Sequence, residues 1–307
     1  MPEKKQMIIC AGMVTIDFLM MVDQYPDRNE TIQAKMSETC IGGQIGRAAV
    51  AAARLGAPTI LIGMIGTGIY ADILTQLISR EPLQNHLIVD NNSVSSQHSV
   101  VILSQDRYRA VIWRQQPRAT MNLLAAIKDK LTENVTILLD CTDINMTLPV
   151  AIAGRKYGCA TIIDTGSYRE EVEKILPFID YIIVPEKFMF SRHQGHDDPV
   201  HEGLKSIMER FRPAAVIVTQ GDQGGTYITR ITDNIYKFEA VSIEAKDTCG
   251  AGDVFHGVFT FAIHSGYDIH RSIKIAAWAA AMKCAGVGNS SIPDYIELQA
   301  FLNGEQR

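Results

Sequence analysis

The chain has 307 residues, of which 47% are hydrophobic and 21% charged, a composition that excludes wholesale disorder and is sufficient for a sizeable buried core. The formal net charge is −5 at pH 7, and because the charges are interspersed, the sequence lacks the basic stripe typical of nucleic-acid-binding proteins. No segment reaches the roughly 18–20 uncharged apolar residues that a membrane span requires, so we expect a cytoplasmic protein that binds neither nucleic acid nor membrane.

The first part of the chain predicts a small β-sheet beside a larger body. Residues 7–36 and roughly 94–114 alternate apolar and polar positions, as half-exposed strands do, with a turn at 104–107. Between them, the sequence predicts a helix at 46–56 and a strand at 58–66. We interpret the alternating segments as a small β-sheet lid formed by about residues 13–38 and 94–115.

The second half alternates short β-rich runs with amphipathic helices. Buried strands are predicted at 135–140, 160–166, 180–186 and 214–221, and helices at 148–158 and 201–211. This alternation is typical of an α/β fold with a doubly wound, mostly parallel sheet flanked by helices. Since no linker divides the chain, we expect residues 1–307 to form a single domain. Ligands of such sheets bind outside the carboxyl ends of the strands, a position held here by Asp140, Asp164, Glu186 and Thr219.

The stretch "DTCGAGDVFHG" at 247–257 places three small residues, Gly250, Ala251 and Gly252, directly before Asp253. An apolar run follows and predicts a helix that begins at this point. Convergent backbone N–H groups at a helix N-terminus bind anions, and a carboxylate there can accept a proton from a hydroxyl. The stretch indicates phosphoryl transfer, with the small residues around the transferring group and Asp253 as general base. An ordinary helix cap is the alternative.

A second glycine cluster, "VIVTQGDQGG" at 216–225, ends a predicted buried strand. Glycines at such a position allow backbone N–H groups to approach phosphates closely, and Thr219 adds a hydroxyl. We therefore expect Thr219, Gly221 and Gly224 to bind a nucleotide.

Taken together, these motifs resemble the ribokinase-like, or PfkB, family of carbohydrate kinases. "DTCGAGD" is similar to the family signature D-T-x-G-A-G-D, "GGQIGRAAVAAARLGA" at 42–57 to its N-terminal signature, and "VTQGDQG" to its nucleotide-binding motif. The resemblance covers essentially the whole chain and implies an α/β domain with a β-lid, Mg²⁺-ATP as donor and often a monovalent cation such as K⁺. It also implies that Asp253 is the base, that residues 250–252 form the anion hole and that Asp17 binds a substrate hydroxyl. Gly42 and Gly43 would line the sugar pocket.

The C-terminal segment "AAAMKCAGVGNSSIPD" resembles the adenine-side and cation-side segment of the same family. On this resemblance, Asn289 is expected at the nucleotide and Asp247 at the monovalent cation. Within the family, "GAGDVFHG", "MKCAG" and "SIPD" are most similar to sulfofructose kinases and next to ketohexokinases.

Departures from the family pattern bear on the substrate and on the metal. Arg47 stands where the family usually carries Asn, and an Arg presents a cationic fork suited to a carboxylate, sulfonate or phosphate. Arg114, beside Trp113, stands near a point at which 2-keto-3-deoxygluconate kinases bind an acidic sugar. An anionic sugar is therefore the expected substrate class. In the segment associated with the Mg²⁺ water shell, "VPEKFMF", only Glu186 remains as an acid.

Two other functions stay open at this point. The family's G-x-D-x-x-G reads "GTGIYA" at 66–71, and this change favours a non-catalytic sugar or nucleotide sensor on the same fold. The same stretch follows a strand and mimics a dinucleotide-binding fingerprint, with Asp90 further along the chain, which would indicate an NAD-dependent oxidoreductase. Because exposed strand edges often pair, we also expect a homodimer through the lid.

Overall fold

A computed structural model of the chain describes residues 7–91, 96–104, 109–114, 122–193, 195 and 197–304. Within these residues, the strands are β1 (Met7–Ala11), β2 (Thr15–Val22), β3 (Met36–Gly42), β4 (Thr59–Ile62), β5 (Met64–Ile65), β6 (Gln84–Asn85), β7 (Ile88–Val89), β8 (His98–Ser104), β9 (Arg109–Arg114), β10 (Val135–Asp140), β11 (Ala160–Asp164), β12 (Tyr181–Pro185), β13 (Ala215–Thr219), β14 (Gly225–Thr229) and β15 (Ile235–Phe238). The α-helices are α1 (Gln44–Arg54), α2 (Ile69–Ile78), α3 (Ile144–Lys156), α4 (Glu186–Arg192), α5 (Pro199–Phe211), α6 (Ala251–His264), α7 (Ile269–Cys284) and α8 (Tyr295–Gly304). No helix in this described part is long and apolar enough to span a bilayer.

The main sheet contains, among the described residues, nine strands in the order β15-β14-β13-β12-β11-β10-β1-β4-β6. The strands from β13 to β6 run parallel, and β14 and β15 add an antiparallel edge. Every residue of β10, the apolar run "VTILLD", is buried, as expected for a strand of a parallel sheet that helices cover on both faces. The predicted α/β fold with a mostly parallel sheet is confirmed.

Helices pack on both faces of the main sheet and form two apolar cores. Successive side chains of a strand point to opposite faces, so neighbouring residues of β1 enter different cores. Ile8 packs in the core that includes α1, α6 and α7, while Ile9 packs in the core that includes α3, α4 and α5. Both side chains are fully buried. The carboxyl ends of the parallel strands therefore lie together at one edge of a sheet that is packed on both faces.

A separate four-stranded sheet, in the order β3-β2-β8-β9, contains the segments predicted for the lid, and the name is kept for it below. β2 and β8 pair in parallel, while β3 and β9 pair antiparallel at the two edges. The placement of residues 7–11 among the half-exposed alternating segments is wrong. They form β1 at the centre of the main sheet, where the apolar run is buried on both faces. β3 also extends to Gly42, beyond the predicted lid boundary at residue 38, and the predicted turn at 104–107 lies, except for Ser104, outside the described residues.

Small residues bring α1 close to α6. Gly257 of α6 faces the backbone of α1 so closely that a Cβ at this position would overlap the carbonyl of Ala48. Arg47 is the neighbour of Ala48, and Asp253 lies about one helical turn before Gly257. This contact therefore sets the spacing between Arg47 and Asp253.

Candidate active site

The turn before α6 is rich in glycine and has free space at Gly252. Gly250 immediately precedes the helix and has a φ of 82°, in the left-handed region that favours glycine. A Cβ on Gly250 would also lie 2.6 Å from Cδ of Arg47, whereas a Cβ on Gly252 would meet nothing within 4 Å. Because the first N–H groups of an α-helix lack partners within the helix, residues 250–252 can receive an anion here.

Asp253 lies in the first turn of α6, with a side chain that is 16% exposed. Its Oδ2 accepts a hydrogen bond from Nη1 of Arg47 at 3.1 Å. Burial raises the pKa of Asp253 to about 6; Arg47 and His256 lower the pKa, while the charge of Asp164 raises it further. Asp253 is therefore ionised at neutral pH, but it is a stronger proton acceptor than an ordinary exposed carboxylate.

The guanidinium of Arg47 joins Asp253 to Asp17, a residue of the lid strand β2. Nη2 of Arg47 donates to Oδ2 of Asp17, and both side chains are buried. The other carboxylate oxygen of Asp17 accepts hydrogen bonds from Oγ1 of Thr15 at 2.9 Å and from Oγ of Ser99 at 2.6 Å. Because Arg47 already pairs with two carboxylates, this geometry does not support the prediction that it presents a free fork to an anionic substrate.

A cavity of about 520 Å³ lies between the lid and the carboxyl-terminal edge of the main sheet. Four of the residues predicted for the site line it: Asp17, Gly43, Arg47 and Asp253. Hydroxyl, amide and apolar side chains complete the wall, together with two cationic side chains, Arg169 and Lys187, that the sequence analysis missed. A cavity of this size and mixed polarity suits a small ligand with several polar groups.

Two predicted substrate residues lie outside the cavity wall, as far as the structure describes it. Gly42 provides room for Asp17, because a Cβ at position 42 would overlap the Asp17 carboxylate. On β9, Val111 and Trp113 line the cavity, so alternation along the strand directs the exposed side chain of Arg114 to the opposite face. The structure therefore gives no support to Arg114 as a substrate ligand; Arg109 shares the face of Val111 and Trp113.

Three of the four predicted nucleotide residues, Thr219, Gly221 and Gly224, lie close together at the carboxyl end of β13. Thr219 ends β13 and pairs in register with the last residue of β12, which Glu186 follows directly. Gly221 and Gly224 have φ values of 62° and 77°, which form the tight turn after β13. Nε2 of Gln220, in this turn, donates to Oε1 of Glu186 at 2.6 Å. The two groups predicted for the nucleotide and for its metal are thus connected, and their roles stay predictions.

Asn289 is buried and links the C-terminal segment to β3 of the lid. Its Nδ2 donates to the carbonyl of Ile41 at 2.7 Å, and its backbone N–H donates to Glu38 at 3.2 Å. The side chain is 5% exposed, and its Oδ1 has no hydrogen-bond partner among the described residues. The contact of Asn289 with the nucleotide stays a prediction.

The surroundings of Asp247 also differ from the prediction. Instead of an open site for a monovalent cation, the carboxylate of Asp247 lies 2.6 Å from Nζ of Lys283. Both residues are buried. The structure therefore places a charged group of the protein where the resemblance implies K⁺.

A buried network behind Asp253, which sequence reasoning did not assemble, holds the first turn of α6. Nδ1 of His256 lies 2.6 Å from the carbonyl oxygen of Gly252 and 3.3 Å from Oδ2 of Asp164. Nε2 of Gln44 donates to the other oxygen of Asp164 at 2.7 Å. In the sequence, only the position of Asp164 at the carboxyl end of a predicted strand indicated that this residue lies near the site. No pattern in the sequence indicated its partners.

The sequence matches the model of the family described as pfkB family carbohydrate kinase over residues 5–294. The chain belongs to this family. A ribokinase of Arabidopsis thaliana is 25% identical to this kinase over 299 residues, which cover 94% of this chain and 78% of that protein. The predicted likeness to sulfofructose kinases and ketohexokinases within the family stays a prediction.

Solved structures have the same fold as this pfkB-family kinase. A protein of Agrobacterium tumefaciens superposes with a TM-score of 0.88 at 22% identity, covering 98% of this chain and 99% of the other. An Arabidopsis thaliana ribokinase complexed with ribose and ATP superposes with a TM-score of 0.80 at 20% identity, covering 96% and 98%. The family match confirms the predicted resemblance and removes the NAD-dependent oxidoreductase alternative, because the "GTGIYA" stretch belongs to a carbohydrate kinase.

Proposed function

We propose that this kinase transfers the γ-phosphoryl group of ATP to a hydroxyl group of a sugar or sugar derivative, with Asp253 as the general base. One observation carries the proposal. The carboxylate of Asp253 lines the cavity and lies in the first turn of a helix that follows a glycine turn. A protein that only senses a sugar or a nucleotide has no need of a carboxylate at this position, so the arrangement favours the kinase over the sensor.

The reaction follows from the positions of these groups. The acceptor binds in the cavity, where the carboxylate of Asp17 accepts a hydrogen bond from one of its hydroxyls. Another hydroxyl faces Asp253. As its oxygen forms a bond to phosphorus and the bond from phosphorus to the ADP oxygen breaks, the proton of the hydroxyl moves to Asp253. The backbone N–H groups at 250–252 stabilise the negative charge on the transferring group.

The residues present fit a Mg²⁺ ion that is held mainly by phosphates and water. Mg²⁺ usually takes only one or two protein carboxylates beside substrate phosphates. Glu186 would act through the water shell of the ion, because it lies beside the glycine turn after β13 and has no cationic partner among the residues described. When bound, Mg²⁺ neutralises charge on the phosphates.

The proposed acceptor carries an anionic group, which would be bound by cations other than Arg47 and Arg114. The charge of Arg47 is offset by Asp17 and Asp253, and Arg114 faces away from the cavity. Lys187 and Arg169 line the cavity instead, and Lys187 has no carboxylate partner within the described ranges. An acceptor with a carboxylate, sulfonate or phosphate group directed at these two cations would match the wall.

The test is ADP release from Mg-ATP with a panel of acceptors: neutral ketoses, ribose, nucleosides, 2-keto-3-deoxy sugar acids and sulfofructose. We expect turnover with one acceptor, and a loss of about 10³-fold in kcat with Asp253→Asn, the middle of the range for general-base catalysis. Asp129→Asn, which changes an exposed carboxylate away from the site, is the matched control. Lys187→Met should raise KM for an acidic acceptor and leave KM for a neutral one unchanged.

The outcomes separate the alternatives. Turnover that survives in Asp253→Asn would contradict the assignment of the base. A panel without turnover, in a protein that still binds ATP in calorimetry, would favour the sensor. Turnover of neutral sugars alone would retain the kinase and remove the anionic acceptor.

A further inference from the structure

Lys283 is a fully buried lysine in the last turn of α7. Its exposed fraction is 0%, and its Nζ donates to the backbone oxygen of Asp247 at 2.9 Å and to Oδ2 of the same residue at 2.6 Å. Buried charges persist in proteins only when they are paired and hydrogen-bonded. Asp247, itself 2% exposed, supplies both contacts, so the two residues form one enclosed ion pair.

The oxygen atoms of Asp247 are already used by groups of the protein. Oδ1 accepts a hydrogen bond from the backbone N–H of Cys249 at 2.8 Å, and Oδ2 accepts a second one from the N–H of Gly288 at 3.0 Å. A bound K⁺ would replace its hydration shell with carbonyl and carboxylate oxygens of this kind. Because the ammonium of Lys283 contacts both the carbonyl and the carboxylate, the residues around Asp247 do not fit a separate monovalent cation.

The ion pair adjoins the turn that precedes Asp253. Asp247 stands three positions before Gly250, and its hydrogen bond to Cys249 fixes the start of that turn. The end of α7 is attached to the same segment, because the carbonyl of Cys284 accepts hydrogen bonds from the N–H groups of Lys246 at 2.7 Å and Asp247 at 3.3 Å. The charge of Lys283 is thus held at the base of the loop that leads into residues 250–252.

We propose that Lys283 is a built-in monovalent cation: its ammonium takes the place of K⁺ at Asp247 and fixes the anion-binding turn at 250–252 without a bound metal. An ammonium is a compact single charge, and as part of the chain it is present at every salt concentration. Lys283 is a positioning residue, since it acts on the turn through Asp247. The role of Lys283 in phosphoryl transfer rests on the proposed function. The prediction that the turn folds without K⁺ is independent of that function.

The test compares thermal unfolding in KCl, NH₄Cl, NaCl and choline chloride at equal ionic strength. We expect the native protein to melt at the same temperature in all four salts. Lys283→Ala removes the charge and leaves space, so its melting temperature should fall by on the order of 10 °C and recover selectively in KCl or NH₄Cl. Lys283→Met fills the space without a charge and should not recover. The exposed Lys205→Ala is the matched control.

Two further measurements keep the proposal falsifiable if Lys283→Ala does not fold. The double variant Asp247→Asn with Lys283→Met removes both charges and should melt above Lys283→Met alone. In crystals of the native protein soaked in RbCl, anomalous scattering should show no Rb⁺ at the oxygens of Asp247. Rb⁺ at that position, saturable stabilisation of the native protein by K⁺, or a folded Lys283→Ala that melts equally in all four salts would overturn the proposal. None of these measurements needs turnover, so they remain decisive even if the kinase reaction proposed above fails.

Discussion

Replacing Arg47 tests how the site controls its base. Arg47 donates to Asp253 and Asp17 at once, and its charge lowers the pKa of Asp253, which burial raises to about 6. Arg47→Met keeps most of the side-chain volume and removes the charge. The pKa of Asp253 should then rise, because burial and the negative charge of Asp164 remain without the main opposing effect.

The size of the rise follows from the distance. An opposite charge within about 4–6 Å lowers the pKa of a carboxyl by about 1–3 units, and Nη1 of Arg47 lies 3.1 Å from Oδ2 of Asp253. We expect the pKa of Asp253 in the variant to be about 7.5. Since a general base must be deprotonated, kcat/KM at pH 6.5 should fall about tenfold from this shift alone and recover above about pH 8.5.

The assay is the pH dependence of kcat/KM between about pH 5 and 9, measured as ADP release with the acceptor identified in the panel. Arg47→Lys is the control, because it keeps one positive charge but cannot pair with two carboxylates in the same way; its acid limb should stay closer to that of the native protein. Circular dichroism at each pH confirms that the variants are folded. An acid limb of Arg47→Met that coincides with the native one, or lies at lower pH, would refute the reasoning.

Three further predictions concern the base, the acceptor and the lid. Because folding raises the pKa of Asp253, the contribution of Asp253 to stability is complete below its ordinary pKa and is lost as the pH rises through about 6. The melting temperature of Asp253→Asn should therefore exceed that of the native protein by more at pH 8 than at pH 5. An equal difference at the two pH values would contradict this. Asp17→Asn should raise KM for the acceptor by about tenfold or more and leave KM for ATP unchanged, and steady-state kinetics with each substrate varied separately will show whether it does. Ile112, on the edge strand β9, is 66% exposed, so Ile112→Glu should dissociate the homodimer that the sequence predicts through the lid. Sedimentation velocity measures this, and a native protein that sediments as a monomer would contradict the prediction.

The parallel sheet could be predicted from the sequence because its strands are continuous apolar runs with helical segments between them. The same rule failed at residues 7–11, where a short buried strand was grouped with the half-exposed lid strands that follow it. Periodicity over so few residues does not distinguish a strand that is buried on both faces from one that is buried on one.

The residues of the site were predictable where one motif contains them, as with Asp253 and the glycine turn before it. Their partners were not. Arg47 pairs with one residue that is 30 positions away and another that is 206 positions away, and Lys283 reaches Asp247 from a helix 36 positions further along. Such contacts depend on how the helices and the lid pack, and the identity of a single residue, such as an Arg in place of Asn, does not show whether its charge faces a substrate or another side chain.

The contact between Gly257 and Ala48 limits which mutations the site can tolerate. Neither residue has an atom in the cavity wall, yet a methyl group at position 257 would force α1 and α6 apart and separate Arg47 from Asp253. The pKa of Asp253 thus depends on the distance between α1 and α6 at this contact. Mutations selected only for better packing between the two helices would also change the pH at which the kinase works.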